Sequence, residues 1–363
     1  MFDNIRPLHD SELPEAMRQI IASPLLEPIA RFLYPDEEPA AVVERFRALK
    51  DIHTMQDTVM RAAIDRIIAT TVTDFTHSGT DLLIPGRPYL FISNHRDIVL
   101  DAFLLQYLLF EYNDLYITFG ANLMQDPTIT TIGRANRMFR VERGGTPKEF
   151  YRNMLQVSQY IRQVIATESH SVWIAQRNGR TKDGLDRTEV SLLKMLALSG
   201  RATREAPLMP LKSLNIVPVS ISYEWEPCDL LKAHELHLRS IGPYRKAKGE
   251  DMNSVLTGIM QPKGHVHLSV TAPLTDEEID RCSATDSPFE NLAALIDRRI
   301  LSGYRLHPTN YAAYDTKHHT SRFADNYSPT LRDNFTARLQ GIAPIERSIL
   351  LDIYSNPVEQ IYR

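Results

Sequence analysis

A histidine flanked by two carboxylates is the most reactive arrangement in this chain. In FISNHRDIVLDAFLL, His95 ends a short apolar run and precedes a helix-like stretch that holds Asp97 and Asp101. A strand end that runs into a helix is where open α/β sheets commonly display reactive groups. An imidazole placed there can take a proton from an attacking hydroxyl, provided a carboxylate holds its other ring nitrogen and fixes the tautomer. Asp97 can play that part or cap the helix N-terminus, and Asp101, about one helical turn further on, can point back at the ring. Spacing alone leaves the choice open. It equally allows Asn94, His95, Asp97 and Asp101 to be plain turn and cap residues.

Anion chemistry is concentrated downstream. Residues 134 to 187 hold eleven Lys and Arg against five Asp and Glu, within a chain whose formal net charge is -4. Arginine forks match phosphate oxygens, and amides in glycine-containing turns add donors. In GRANRMFRVERGG, a strand over MFRV puts Arg140 on the face opposite Phe139 and leads Arg143 and Gly144 toward the next helix, a good phosphate position. In SVWIAQRNGRTKDG, a buried strand enters a polar turn with Asn178, Gly179, Arg180 and Lys182. The alternative for these cations is a solvated positive face. A further stretch, NIVPVSISYEWEP, reads as a buried strand with Val217, Val219 and Ile221 in the core and Pro218 near the strand start or an edge.

In their order, these blocks resemble the four motifs of the glycerol-3-phosphate and lysophosphatidate acyltransferase superfamily. The first motif is similar to Asn-His-x-x-x-x-Asp, whereas here five residues separate His95 from Asp101. One added residue turns a helical side chain by ~100°, so the resemblance requires a compensating bulge in the loop. Asp101 followed by Ala102 to Leu105 resembles the aspartate-led aromatic and leucine run of bacterial glycerol-3-phosphate acyltransferases, and this favours Asp101 over Asp97. Gly133, Phe139 and Arg143 resemble the second motif. Gly179, Arg180 and Thr181 resemble the third, with Asn178 standing where the family has glutamate. A neutral amide accepts hydrogen bonds but supplies no negative charge. Val217, Pro218 and Val219 resemble the fourth motif, whose continuation through Ser220, Tyr223 and Glu224 is closer to the glycerol-3-phosphate branch.

The resemblance spans residues 91 to 224, about a third of the chain. It implies transfer of a fatty acyl group from acyl-CoA or acyl carrier protein to a hydroxyl of glycerol 3-phosphate or of a lysophospholipid such as 1-acylglycerol 3-phosphate, in phospholipid synthesis. His95 would be the base and Asp101 its orienting partner. Arg143, Arg180, Gly179, Arg140 and Asn178 would bind the substrate phosphate, Val217, Pro218 and Val219 would border the acyl pocket, and a backbone amide would stabilise the oxyanion. Neither cofactor nor metal is called for. Two other readings are an acyltransferase fold that has lost catalysis and binds anionic lipid, suggested by Asn178 and the lengthened His95–Asp101 spacing, and a hydrolase of acyl thioesters or esters. A Ser-His-Asp hydrolase is disfavoured, because the chain has no Gly-x-Ser-x-Gly elbow.

The elements that must position these residues read as α/β. Strand candidates at 88 to 93, 115 to 120, 171 to 175, 215 to 225 and 265 to 270 alternate with helical segments. They predict a mixed central sheet flanked by helices. An N-terminal helical region (1–80), an α/β domain (81–275) and a helical extension (276–363) are expected, the last with a Tyr-, Asn- and His-rich tail after residue 300. In 148 to 168, Phe150, Met154, Val157, Ile161 and Val164 share one helical face that should pack on the sheet.

With 363 residues, 43% apolar and 24% charged, the chain can bury a large core and has neither disordered nor fibrous composition. A net charge of -4 gives no overall attraction to nucleic acid, so none is expected as a partner. Two cysteines, Cys228 and Cys282, make no disulfide framework or zinc pattern. No secretory leader is recognisable at the start. The longest apolar run, 102 to 110, is too short and interrupted to span a bilayer. A peripheral protein on the cytoplasmic, inner face of the cell membrane is expected, with residues 102 to 110 either in the core or at an apolar entry.

Overall fold

The computed structural model describes residues 2–124, 126–142, 144–200, 203 and 206–362. At its centre are seven strands: β1 (Val72–Ser78), β2 (Leu90–Ser93), β3 (Leu115–Gly120), β4 (Met138–Val141), β5 (Ser171–Ala175), β6 (Ile216–Tyr223) and β7 (Gly264–Val270). Their order is β1-β7-β6-β2-β5-β3-β4. All pairs are parallel except β6 with β7. This is an α/β protein with a mixed sheet flanked by helices and an N-terminal helical region. β2, β5 and β6 are buried at every position, which matches their continuous apolar runs.

From β2 the chain goes to one side of the sheet, and after β5 it crosses to the other. The carboxyl ends of β2 and β5 therefore meet at a switch point, where α/β folds bind ligands.

The sequence did not announce β1. Its residues, VTDFTHS, lack an apolar run because it is a half-exposed edge strand, yet it pairs along β7 from Val72 to Ser78. The sheet thus begins inside the stretch read as helical. Ahead of it, helices Leu13–Ile21, Leu26–Leu33, Pro39–Ala48 and Ala62–Thr71 enclose their own apolar cluster around Met17, Ile20, Val42 and Phe46. Pro218 sits near the β6 start, one residue before pairing with β7 begins at Val219.

The C-terminal tail is more ordered than its composition suggests. It forms helices Pro308–His318, Pro329–Arg338 and Pro344–Ile361. The last of these clamps the loop after β5: Asn356 Nδ2 donates to Asp183 O (2.7 Å), and Gln360 bonds both the N–H and the C=O of Asp186 (3.0 Å each). Gly184 (φ 76°) is needed there, because a Cβ would stand 2.3 Å from Ile353 O. Among the described residues no helix is long and apolar enough to cross a membrane.

Candidate active site

His95 lies in an extended loop between β2 and helix Leu100–Leu109, not on the helix. The five-residue gap to Asp101 is thus spent mostly in that loop, where helical rotation does not apply. Asp97 accepts from the N–H groups of Val99 and Leu100 (2.8 Å each), capping the helix start. Asp101, in the first turn, points back: its Oδ2 lies 2.9 Å from His95 Nδ1 and accepts from Arg96 N (2.6 Å) and Asp97 N (2.9 Å).

Its other oxygen accepts from Tyr223 Oη at 2.8 Å. Burial first, and then the adjacent Asp101 charge, push the Tyr223 hydroxyl well above the ordinary phenol range, so it stays a donor. With Asp101 an acceptor, Nδ1 of His95 carries the proton and Nε2 is left as the base. The ring packs edge-on against Trp173, 5.6 Å between centroids, whose indole N–H donates to Ser93 Oγ (2.9 Å).

Behind the loop is a buried charge cluster. Asn94 ties β2 to β6 by donating to Ile221 O (2.9 Å) and accepting from Ile221 N (2.8 Å), and it also donates to Asp186 (2.9 Å). Arg96, 1% exposed, pairs with Asp186 (2.6 Å) and Glu226 (3.4 Å). Burial alone would depress its pKa, but those carboxylates outweigh burial and raise it. Lys232 donates to Glu226 (2.6 Å) and to Arg96 O (2.7 Å). The loop carrying His95 is therefore held from both sides.

In front of His95 opens a cavity of about 440 Å³. Its apolar part includes Phe119, Phe150, Met154, Trp173 and Leu192, and its polar part includes Arg177, Asn178, Gly179, Arg180 and Lys182. Gly179 allows the turn by its left-handed backbone (φ 76°). Arg180 is 8% exposed, and its NH1 is buried without a hydrogen-bond partner. Arg177 Nε is likewise unpartnered. Neither arginine makes an ion pair among the described residues. Lys182 pairs with Glu235 (2.7 Å), and burial lowers its pKa to about 8.

Residues 74–222 match the family model described as Acyltransferase. That segment is similar to the acyltransferase family. The acyltransferase segment contains β2 to β5 and most of β1 and β6, together with His95, Asp101 and the Arg180 turn, while β7 and the C-terminal helices lie beyond it. Among solved structures, the chain is similar to the 1-acyl-sn-glycerophosphate acyltransferase PlsC of Thermotoga maritima, with 13% identity, 79% of this chain and 91% of that chain covered, and a TM-score of 0.36. No curated protein matches it.

Several expected site residues of the acyltransferase segment fall elsewhere. Val217 and Val219 are 0% and 1% exposed, packed in the core with Phe91 and Leu105, and Pro218 between them is buried too. As an interior strand covered on both faces, β6 does not border the cavity. Arg140 also faces away: Val141 lines the cavity, so alternation turns Arg140 to the other side of β4, where it pairs with Glu142. Arg143 lies outside the described residues. Arg137 is tied to Asp114 (2.7 Å) and Arg134 to Arg6 O (3.2 Å), both structural.

Sequence reasoning passed over Arg96, Arg177, Trp173 and the role of Tyr223. The phenol was legible in principle, because a tyrosine in a strand that is otherwise buried needs a partner for its hydroxyl.

Proposed function

We propose that the chain transfers a fatty acyl group from acyl-CoA or acyl carrier protein to a hydroxyl of glycerol 3-phosphate or of a lysophospholipid such as 1-acylglycerol 3-phosphate, in phospholipid synthesis. The observation that carries the reading is a His95–Asp101 pair opening onto one cavity with the Arg180 guanidinium, which makes no ion pair among the described residues. Arg180, with the Asn178–Gly179 turn, holds the acceptor's phosphate. His95 Nε2 takes the hydroxyl proton as the oxygen attacks the thioester carbonyl. The new C–O bond forms, the C–S bond breaks, and the proton passes from His95 to the departing thiolate.

The acyl chain lies along Phe119, Met154 and Leu192, not along β6. No cofactor or metal takes part in this reaction. We place the protein on the cytoplasmic, inner face of the cell membrane as a peripheral protein, where its lipid substrates are.

The test is acyl transfer to glycerol 3-phosphate and lysophosphatidate, offered in parallel, by the wild type and by His95→Ala. A general base contributes about 10²–10⁴ in rate, so a loss of that order is expected, and an unchanged rate in the variant sinks the mechanism. Omitting the acceptor separates transfer from hydrolysis, because a transferase without its alcohol releases no thiol.

A further inference from the structure

The apolar run at 102 to 110 is not an entry surface, since most of it is buried between the sheet and the N-terminal helices. Exposed apolar side chains gather elsewhere. Helix Glu250–Met260 has two unlike faces. Ser254 and Gly258, four residues apart, are buried, and Gly258 sits so close to the His95 loop that a Cβ would stand 2.2 Å from Asp97 Oδ2. Half a turn away, Leu256 is 55% and Met260 61% exposed, and Ile241, at the end of the preceding helix Asp229–Ile241, is 72% exposed. Large apolar groups clustered at the surface mark an interaction site.

The charges around this stripe are sorted. Arg239, Arg245 and Lys248 are exposed; Arg239 pairs with Glu235 (2.6 Å), whereas Arg245 and Lys248 make no ion pair among the described residues. The nearby acids are turned inward: Glu250 accepts from Tyr244 and from Ala247 N, and Asp251 accepts from Lys246 and from Asn122 Nδ2. Lys246 and Asp251 line the same cavity as His95, so this segment is part of its wall. Apolar side chains rimmed by outward cations fit the interface of an anionic bilayer.

We propose that the 239–260 segment is the docking element for an anionic lipid surface. Ile241, Leu256 and Met260 enter the interface, and Arg245 and Lys248 meet lipid phosphates. The inference rests on the peripheral placement proposed above and locates the face that performs it. With the 250–260 helix lying on the His95 loop, docking brings the cavity wall to the membrane.

The test is co-sedimentation of the full chain with phosphatidylcholine vesicles, with and without phosphatidylglycerol. The wild type should bind the anionic vesicles, more weakly as salt rises, and ignore the neutral ones. One basic residue near an anionic surface contributes about fivefold, so the R245Q/K248Q double variant should bind about 25-fold more weakly, and L256S/M260S about tenfold or more. Wild-type binding by both variants, or no vesicle binding by the wild type, overturns the proposal. A wild type that ignores vesicles but binds an acidic carrier protein through Arg245 and Lys248 overturns it in favour of a protein partner. Transfer from a short, soluble acyl-CoA to glycerol 3-phosphate should be unchanged in both variants. Docking without any such turnover leaves this proposal standing and removes the acyl-transfer reading.

Discussion

The two walls of the site treat charge differently. On the β2 and β6 side the buried cations Arg96 and Lys232 sit in ion pairs, Arg96 with Asp186 and Glu226 and Lys232 with Glu226, although Arg96 Nε and Asp97 Oδ2 are buried without a hydrogen-bond partner. Asp101 has its donors in place without any substrate. On the β5 side, Arg177 and Arg180 enter the cavity with buried nitrogens that have no partner. Beyond single unmade hydrogen bonds, which occur on both walls, these two cations make no ion pair among the described residues, and a desolvated charge without a counter-charge calls for an explanation. The explanation we propose is that one wall is set by the protein alone and keeps His95 in position, whereas the other is completed by the substrate's anion.

The contrast breaks most sharply at Asp101. Asp101→Asn keeps the shape but offers an amide N–H to the ring, which favours the wrong tautomer. The expected fall in kcat is on the order of 10³–10⁴-fold, with KM almost unchanged because this wall makes no contact with the phosphate. Steady-state kinetics that find kcat intact would mean that Asp101 does not orient a working base.

Arg180→Ala should do the reverse. A hydrogen bond to a charged group contributes about 1.5–3 kcal/mol, so KM for a phosphate-bearing acceptor should rise roughly 10- to 100-fold, with a smaller change in kcat. Plain glycerol, which has no phosphate, should lose little. Equal losses for glycerol and glycerol 3-phosphate would contradict an anion-binding role. This wall is also where Asn178 stands in place of the family's glutamate.

How far the sequence revealed these walls follows from what each depends on. His95, Asp101 and the Arg180 turn are local patterns at strand ends, and β2, β5 and β6 are continuous apolar runs, so both were legible. The dyad's supports were not. Tyr223 is 122 residues from Asp101, and Asp186 is 90 from Arg96, so only the folded sheet brings them together. Arg140 was misread because strand alternation was applied without knowing which face the cavity takes. Val217 and Val219 were misread because an apolar strand beside a site looks the same in sequence whether it lines a pocket or fills the core. β1 escaped because an edge strand needs few apolar residues.

Tyr223→Phe gives a smaller effect on the matched wall. It removes one neutral donor from Asp101, worth about 1 kcal/mol, so kcat should fall about fivefold with KM unchanged. Without that donor Asp101 is held less firmly and orients the His95 ring less well, which acts on kcat and not on acceptor binding. A loss that appears in KM instead, or no loss at all, would point to packing, not to orientation of the pair.

The smallest effect separates the walls by pH. Burial lowers the Lys182 pKa to about 8 from its ordinary 10.5. As pH rises past 8 the cavity therefore loses a positive charge, and KM for a phosphate-bearing acceptor should rise several-fold. Lys182→Arg, which stays charged throughout this range, should abolish that rise. Stability moves the other way. Between pH 8 and 10.5 the unfolded chain still binds the lysine proton that the folded chain has released, so this group makes folding more favourable as pH increases. Weaker acceptor binding in a protein that this group does not destabilise is the signature of the unmatched wall. Thermal melts recorded beside the kinetics test it: if the KM rise coincides with unfolding, or persists in Lys182→Arg, the alkaline limb belongs to another group and Lys182 is only the structural partner of Glu235.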